Sequence, residues 1–391
     1  MDTTTDYVAF CHDVSGHLQN KNPKSGKTEA VKKSVSFFVL LLILCVVPPN
    51  LSLPLVRATE DYWTTLEPSP TGYYIDATVV DGKIYYIGSK INVQYDSETD
   101  TWTPLAPPPI PNSWGDVVAC QNKIYLIGGN ASKPTQVYDP ATDTWENRTS
   151  IPTTRMSLQA NVVDGKIYLI GGQMLAGLYI INPSSSNDVY DPATDSWSKM
   201  ASIPTPVMGY ASTVLDNKIY IISGGNTGGP DYNPINQVQI FDPKTNQWTN
   251  GTNIPTGVVS AKACSTTGLM APKRIYVIGG TITSYARWAS YNVINLTQIY
   301  DPETDTWTAG TPMPTPRYLF GVAVINDEIY AIGGVSEENY LVVNEKYTPI
   351  DYIPEFPSWT QRVIMLVVLL AIIIIYRHKL RRQDRRRFDV I

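Results

Sequence analysis

The chain has 391 residues, 43% hydrophobic and 17% charged, with 25 tyrosines and 30 prolines, a balance that suits a turn-rich all-β body with a large core. Residues 59–361 hold 29 Asp and Glu against 16 Lys and Arg, and a net charge of −13 argues against a nucleic-acid partner. All three histidines (His12, His17 and His378) lie outside that stretch, which excludes from it His-ligated metal centres and Ser–His–Asp or Cys–His nucleophiles, so no cofactor is expected.

The first apolar run, Val35–Val47, follows Lys32-Lys33 and precedes Pro48-Pro49 and Val56-Arg57-Ala58. A basic start, 13 mostly apolar residues and small residues at −3 and −1 predict a secretory signal cleaved after Ala58, with an uncleaved anchor as the alternative. Residues 1–58 then form a leader with a long polar start, and translation from near Val31 would give it ordinary proportions.

From Trp63 onward one pattern recurs. Trp63, Trp102, Trp145, Trp197, Trp248 and Trp307 are 39, 43, 52, 51 and 59 residues apart. Between them stand an Ile-Tyr run, a Gly-Gly pair and a Tyr-Asp-Pro turn, as in Ile167-Tyr168-Leu169-Ile170-Gly171-Gly172 leading to Tyr190-Asp191-Pro192 and Trp197. Units of about forty residues predict one four-stranded sheet each. A small or apolar stretch such as Gly209–Leu215 is strand a, and Asp-Gly-Lys or Asp-Asn-Lys is a hairpin turn. The Ile-Tyr-x-Ile run is strand b, buried on both faces, and Gly-Gly lets its backbone bend away without a Cβ conflict. Val-Tyr/Phe-Asp is strand c, Pro-x-Thr-Asp/Asn a second turn, and the Trp segment strand d. The acids of the repeated turns (Asp139, Asp143, Asp191, Asp195, Asp301 and Asp305) are expected to cap backbone N–H groups. Trp63 has no strands a to c before it, and the last unit, Phe320–Tyr347, has no Trp strand after it. The N-terminal strand is therefore predicted to complete the sixth sheet and close a ring without open edges.

The paired glycines, the Tyr beyond them and the Trp after an Asp-Pro turn resemble the Kelch repeat over Glu60 to Tyr347. Unit one departs with Gly88-Ser89, and unit four reads as an insertion of Ser223 before Gly224-Gly225. The resemblance implies an all-β, six-bladed Kelch-type β-propeller over residues 59–348. Some Kelch proteins are copper oxidases resembling galactose oxidase, a site the histidine distribution excludes. Others are sialic acid epimerases, which use acids and bases without metal; here Glu337, Glu338, Asp116, Arg155 and Arg317 would be the candidates.

A binding role has a geometric basis. The a–b and c–d turns share one rim, and they are short and uniform. The b–c segments share the other, and from the strand-b Ile to the strand-c aromatic they span 11, 14, 23, 22, 25 and 18 residues in blades one to six. Elaborated loops on a rigid scaffold are where recognition is usually placed. These carry Tyr179, Tyr232, Tyr285, Arg287, Trp288 and Tyr291, residue types that dominate binding hot spots. Arg155 and Arg317 begin strand a of blades three and six and match the Pro-x-x-Arg of Kelch repeats, an arginine with which the family often lines its ligand face. Opposed across the channel, the two would face one anionic ligand, or else bond to neighbouring carbonyls.

Beyond the repeats come a Pro-rich stalk (349–358), a predicted transmembrane helix (359–376) built on Val363–Ile375, and a basic tail (377–391). The seven Lys and Arg residues from Arg377 to Arg387 place the tail inside and the propeller outside. Pro354-Glu355-Phe356, an apolar helix and a basic end resemble an archaeal surface-protein sorting signal, in which a transpeptidase replaces the helix with a lipid; a permanent anchor is the alternative. Sequons at Asn130, Asn147, Asn250 and Asn295 agree with an outside location. Cys120 and Cys264, in opposite blades, are predicted to be unpaired thiols. The expectation is a cell-surface, membrane-anchored module for an extracellular protein or glycan, with a carbohydrate-active enzyme or a structural surface component as alternatives.

Overall fold

The structure, a computed structural model, describes residues 59–352 apart from 73–74, 113–114, 130–133, 177–178, 228–233, 283–291 and 338. The leader, the expected membrane helix and the basic tail lie outside the described residues, as does most of the stalk. Among the described residues no helix is long and apolar enough to cross a membrane.

Six four-stranded antiparallel sheets follow one another as blades. Blade three is typical, with strands Ala160–Val163, Lys166–Ile170, Asn187–Asp191 and Ser196–Lys199 paired in chain order. Blade six takes Gly321–Ile325, Glu328–Ile332 and Asn344–Thr348 from the end of the array and Tyr62–Leu66 from its start. Tyr62 stands opposite Thr348 and Trp63 opposite Tyr347, so the N-terminal strand closes the ring by backbone pairing, as its missing partners predicted.

Local chemistry explains each strand. The a–b turns at Asp81-Gly82 (φ 49° and 71°) and Asp216-Asn217 (φ 49° and 58°) occupy the left-handed region that two-residue hairpins require. Ile84, Ile124, Ile167, Ile219, Ile275 and Ile329 of strand b are fully buried. Beside them the strand-c aromatic stacks on the strand-d Trp, with ring centroids 4.8 to 5.1 Å apart from Tyr95–Trp102 to Tyr138–Trp145. Cys120 and Cys264 are buried free thiols.

The turn acids do more than cap. Asp143 accepts the N–H of Ala106 in the preceding blade at 2.8 Å, while Trp145 donates to the carbonyl of that same Ala106 at 2.7 Å. The pattern repeats from Asp100 and Trp102 on Glu67, Asp195 and Trp197 on Thr149, and Asp305 and Trp307 on Thr252. In blade four Asn246 and Trp248 clasp Ala201. Asp61, just ahead of the closing strand, takes Thr311 with Trp63. Every blade is thus clasped to its predecessor at the outer edge.

Blade four corrects one expectation. Ser223 is not inserted: its N–H donates to Gln237 as that of Gly171 does to Ser186, and Gly224 donates to Val258 as Gly172 does to Val207. Ser223, at φ 60°, replaces the first glycine of the pair, and its hydroxyl donates to the carbonyl of Ile235 while its oxygen accepts the N–H of Val258.

Candidate functional site

Strand a of every blade faces the axis. At one level, opposite the last strand-b residue before the bend, strand a presents Asp76, Asp116, Ala211, Lys262 and Gly321 in blades one, two, four, five and six. Gln159, one residue ahead of Ala160, holds that place in blade three. Lys262 spans the channel to pair with Asp76, and its Nζ stands 3.5 Å from Oδ1 of Asp116. The other oxygen of Asp116 accepts the Ala160 N–H at 2.6 Å, and Gln159 Oε1 accepts that of Ser212 at 2.7 Å.

Burial, and then the like charge of Asp76, hold the Asp116 carboxyl well above the usual carboxylate range despite Lys262. For Lys262 burial works against the ammonium, but the two carboxylates outweigh it and its pKa rises. These residues partition the channel. On the b–c side a cavity of about 90 Å³ rests on Asp76, Asp116, Gln159 and Lys262 beneath Asn112, Leu158 and Phe320. On the other side a cavity of about 300 Å³ runs towards Thr78, Val118, Val162 and Val214.

The upper mouth is edged by backbone. Ser157, Gly209, Ser260 and Leu319 all have φ between 50° and 57°. They link blade to blade: Gly209 donates to Ser157 at 2.8 Å, Ser260 to Gly209 at 2.6 Å and Leu319 to Ser260 at 3.1 Å.

Arg155 and Arg317 are not at this mouth. Both are buried and neither lines the channel cavities. Arg155 pairs with Asp188 at 2.5 Å and donates to the carbonyls of Gly171 (2.6 Å), Ser186 and Leu169 (both 3.2 Å). Arg317 pairs with Glu345 and donates to Gly333 and Val343, each at 3.1 Å. These bonds agree with the second of the two roles the sequence left open: they pin the bend after strand b to strand c, with Nη1 and Nη2 of both arginines bonded inside the blade and Arg155 Nε buried without a partner.

The b–c rim carries an added layer. In blade three Arg155–Met156, Gln173–Ala176 and Tyr179–Pro183 form a second, three-stranded ladder. Blades four to six keep it as single bridges, Met208–Gly225–Pro234, Val259–Thr281–Val293 and Tyr318–Val335–Tyr340. Tyr179 lies on this ladder; its side chain, and Tyr232, Tyr285, Arg287, Trp288 and Tyr291 entirely, lie outside the described residues. Ile282, Tyr340 and Val342 are exposed on the rim, residues the sequence reading did not single out. Of the acid–base candidates, Asp116 lines the channel, Glu337 is exposed on the blade-six loop, and Glu338 lies outside the described residues. Asp76 and Lys262 were missed; aligning strand a on strand b, with the blade-five insertion removed, puts them level with Asp116.

A model of the KLHDC2/KLHL20/DRC7 Kelch-repeats domain matches residues 115–334, and one of the Kelch motif matches residues 316–361. Kelch-like protein 15 of Danio rerio is 30% identical over 193 residues, covering 45% of this chain and 30% of its own. Kelch-like protein 25 of Xenopus tropicalis is 30% identical over 155 residues (38% and 24%), and Beta-scruin of Limulus polyphemus 27% over 140 (36% and 14%). The chain thus spans less than a third of the length of these relatives. The solved structure of YjhT superposes with a TM-score of 0.61 at 18% identity, over 73% of this chain and 97% of that one, which shows a shared fold. With six closed blades and a family model that matches more than half of its residues, the chain belongs to the Kelch-repeat family.

Proposed function

We propose that the propeller is a non-catalytic binding module, displayed on the cell surface, that engages a partner protein or a glycan through its b–c rim. The observation that carries this reading is the asymmetry of the rims. The a–b turns described are mostly tight hairpins, whereas blades three to six fold their b–c segments back over the start of strand a. That layer gives the longest loops a rigid base, the arrangement in which binding residues are usually placed. Kelch domains generally mediate protein–protein interaction, which supports the reading. Surface display draws on Val363–Ile375 and the arginines after it, with residues 359–376 as anchor and 377–391 inside.

The test is a glycan and surface-protein binding screen with the full-length chain in detergent, beside two variants. Ile282→Asp/Tyr340→Ala changes the b–c rim; Leu269→Ser changes the blade-five a–b insertion, where Leu269 is 78% exposed. Binding lost in the first and kept in the second is the expected result; the opposite pattern, or no ligand at all, sinks the rim assignment. Biotinylation of intact cells with an impermeant reagent checks display, and a propeller labelled only after lysis would refute it.

A further inference from the structure

We propose that the channel mouth binds an organic cation, a primary ammonium on a short apolar stem seated against Asp116. This goes beyond the rim reading and does not depend on it. Asp76 and Asp116 share one ammonium, and Lys262 lies closer to Asp76. The other inner strands bring no charge to this level, only Gln159 from blade three, Ala211 and Ser212 from blade four, and Gly321 from blade six; Tyr210 is the neighbouring phenol. Two buried carboxylates therefore share a single ammonium and one negative charge stays unbalanced, a costly state unless a proton or an incoming positive charge relieves it.

Two further observations place that incoming charge. The cavity on the b–c side opens directly over Asp116, and its walls include Ile87, Leu126, Leu158 and Phe320. Walls of that kind suit an alkyl stem and offer a hydrated metal ion few of the oxygens it needs. Asn112, only 5% exposed, lines the same cavity; its Nδ2 donates to Gly128, but its Oδ1 has no hydrogen-bond partner. An ammonium carries three donors, and Asp116 and Asn112 supply acceptors for them. Burial and the like charge of Asp76 favour a proton on Asp116 when no second cation is there, since they hold its carboxyl above the ordinary range. Binding then releases that proton, so affinity falls as the solution is acidified through the range in which Asp116 titrates.

The experiment titrates the full-length protein with n-butylammonium chloride, following melting temperature and binding heat, with n-butanol, potassium and calcium chlorides at matched ionic strength as controls. The melting temperature should rise with the logarithm of butylammonium concentration above Kd, less so in acid, and not with the controls. Asp116→Asn should weaken binding about tenfold to a hundredfold, as for a lost hydrogen bond to a charged group. Lys262→Met frees the second carboxylate and should tighten binding, and it keeps the test open if Asp116→Asn does not fold. No response to butylammonium, an equal response in Asp116→Asn, or an equal response to potassium or calcium would overturn the assignment.

Discussion

Arg155 with Asp188 in blade three, and Arg317 with Glu345 in blade six, are one-to-one pairs sealed inside a blade. Lys262 instead serves two carboxylates beside an open cavity. Both sets are buried, yet they follow different rules. Each sealed arginine meets an acid at one strand-c position, opposite Leu169 or Ala331. The blades that start strand a with Asn112, Val207 or Val258 carry Gln136, Gln239 or Gln298 at that position. Those glutamines bind the crossing segment through both amide ends, as Gln239 does with Thr205 at 2.8 and 2.9 Å. The sealed pairs are thus one way to fill a structural position that three other blades fill with Gln and blade one with Val93, while no other blade repeats the channel arrangement. Balanced charge here marks architecture, and unbalanced charge beside a cavity marks a site.

The largest effect tests the sealed half of this contrast. Arg155→Val leaves Asp188 buried and unpaired and should cost about 3 to 5 kcal/mol in denaturant unfolding. Arg155→Val/Asp188→Gln rebuilds the pattern of blades four and five and should return to within about 1 kcal/mol of the parent. A double variant as unstable as the single one would show that the pairs are not interchangeable with glutamine.

A smaller effect of opposite sign tests the channel half. Because the folded-state pKa of Asp116 is raised, the folded protein binds this proton more tightly than the unfolded chain does. Ionising it therefore costs stability as pH rises above the ordinary carboxylate range. Asp116→Asn removes that cost and should melt higher than the parent at neutral pH, the gain vanishing near about pH 3, where the carboxyl is protonated in both states. A variant that melts lower at every pH would mean that Asp116 is held as a stabilising carboxylate.

What the sequence disclosed follows the reach of each interaction. Hairpins, the glycine bend, the strands marked by Tyr and Trp and the ring closure depend on residues within one unit or on a missing strand, and all were legible. Ser223 was not, because Gly224-Gly225 imitates the usual pair and only the hydrogen-bond register reveals the substitution. The channel set was harder still. Lys262 and Asp76 are 186 residues apart, and strand a has no strong motif to align. In blade five the stretch between Ser265 and Ile275 also displaces Lys262 from its counterparts. The acids paired with Arg155 and Arg317 do leave a sequence signal, as Asp188 and Glu345 stand where blades two, four and five have Gln.

The smallest effect lies at the exposed clasp, where the contrast between paired and unpaired groups fades into solvent. Tyr138 donates to Asp143 at 2.7 Å, and that bond, then the Ala106 N–H, hold the Asp143 carboxyl below its ordinary range. A lowered folded pKa contributes stability that is present above the ordinary carboxylate range and is lost as pH falls through the folded value. Blade four supplies the natural control, with Phe241 and Asn246 at the equivalent positions and the backbone clasp to Ala201 intact. Tyr138→Phe/Asp143→Asn copies blade four into blade two. Since Asp143 is exposed and screened, the change should cost no more than about 1 kcal/mol at neutral pH. In acid it should cost nothing, which would flatten the acid limb of the stability–pH curve slightly. A loss as large as that of Arg155→Val would move the main electrostatic support of the propeller from its sealed pairs to its outer edge.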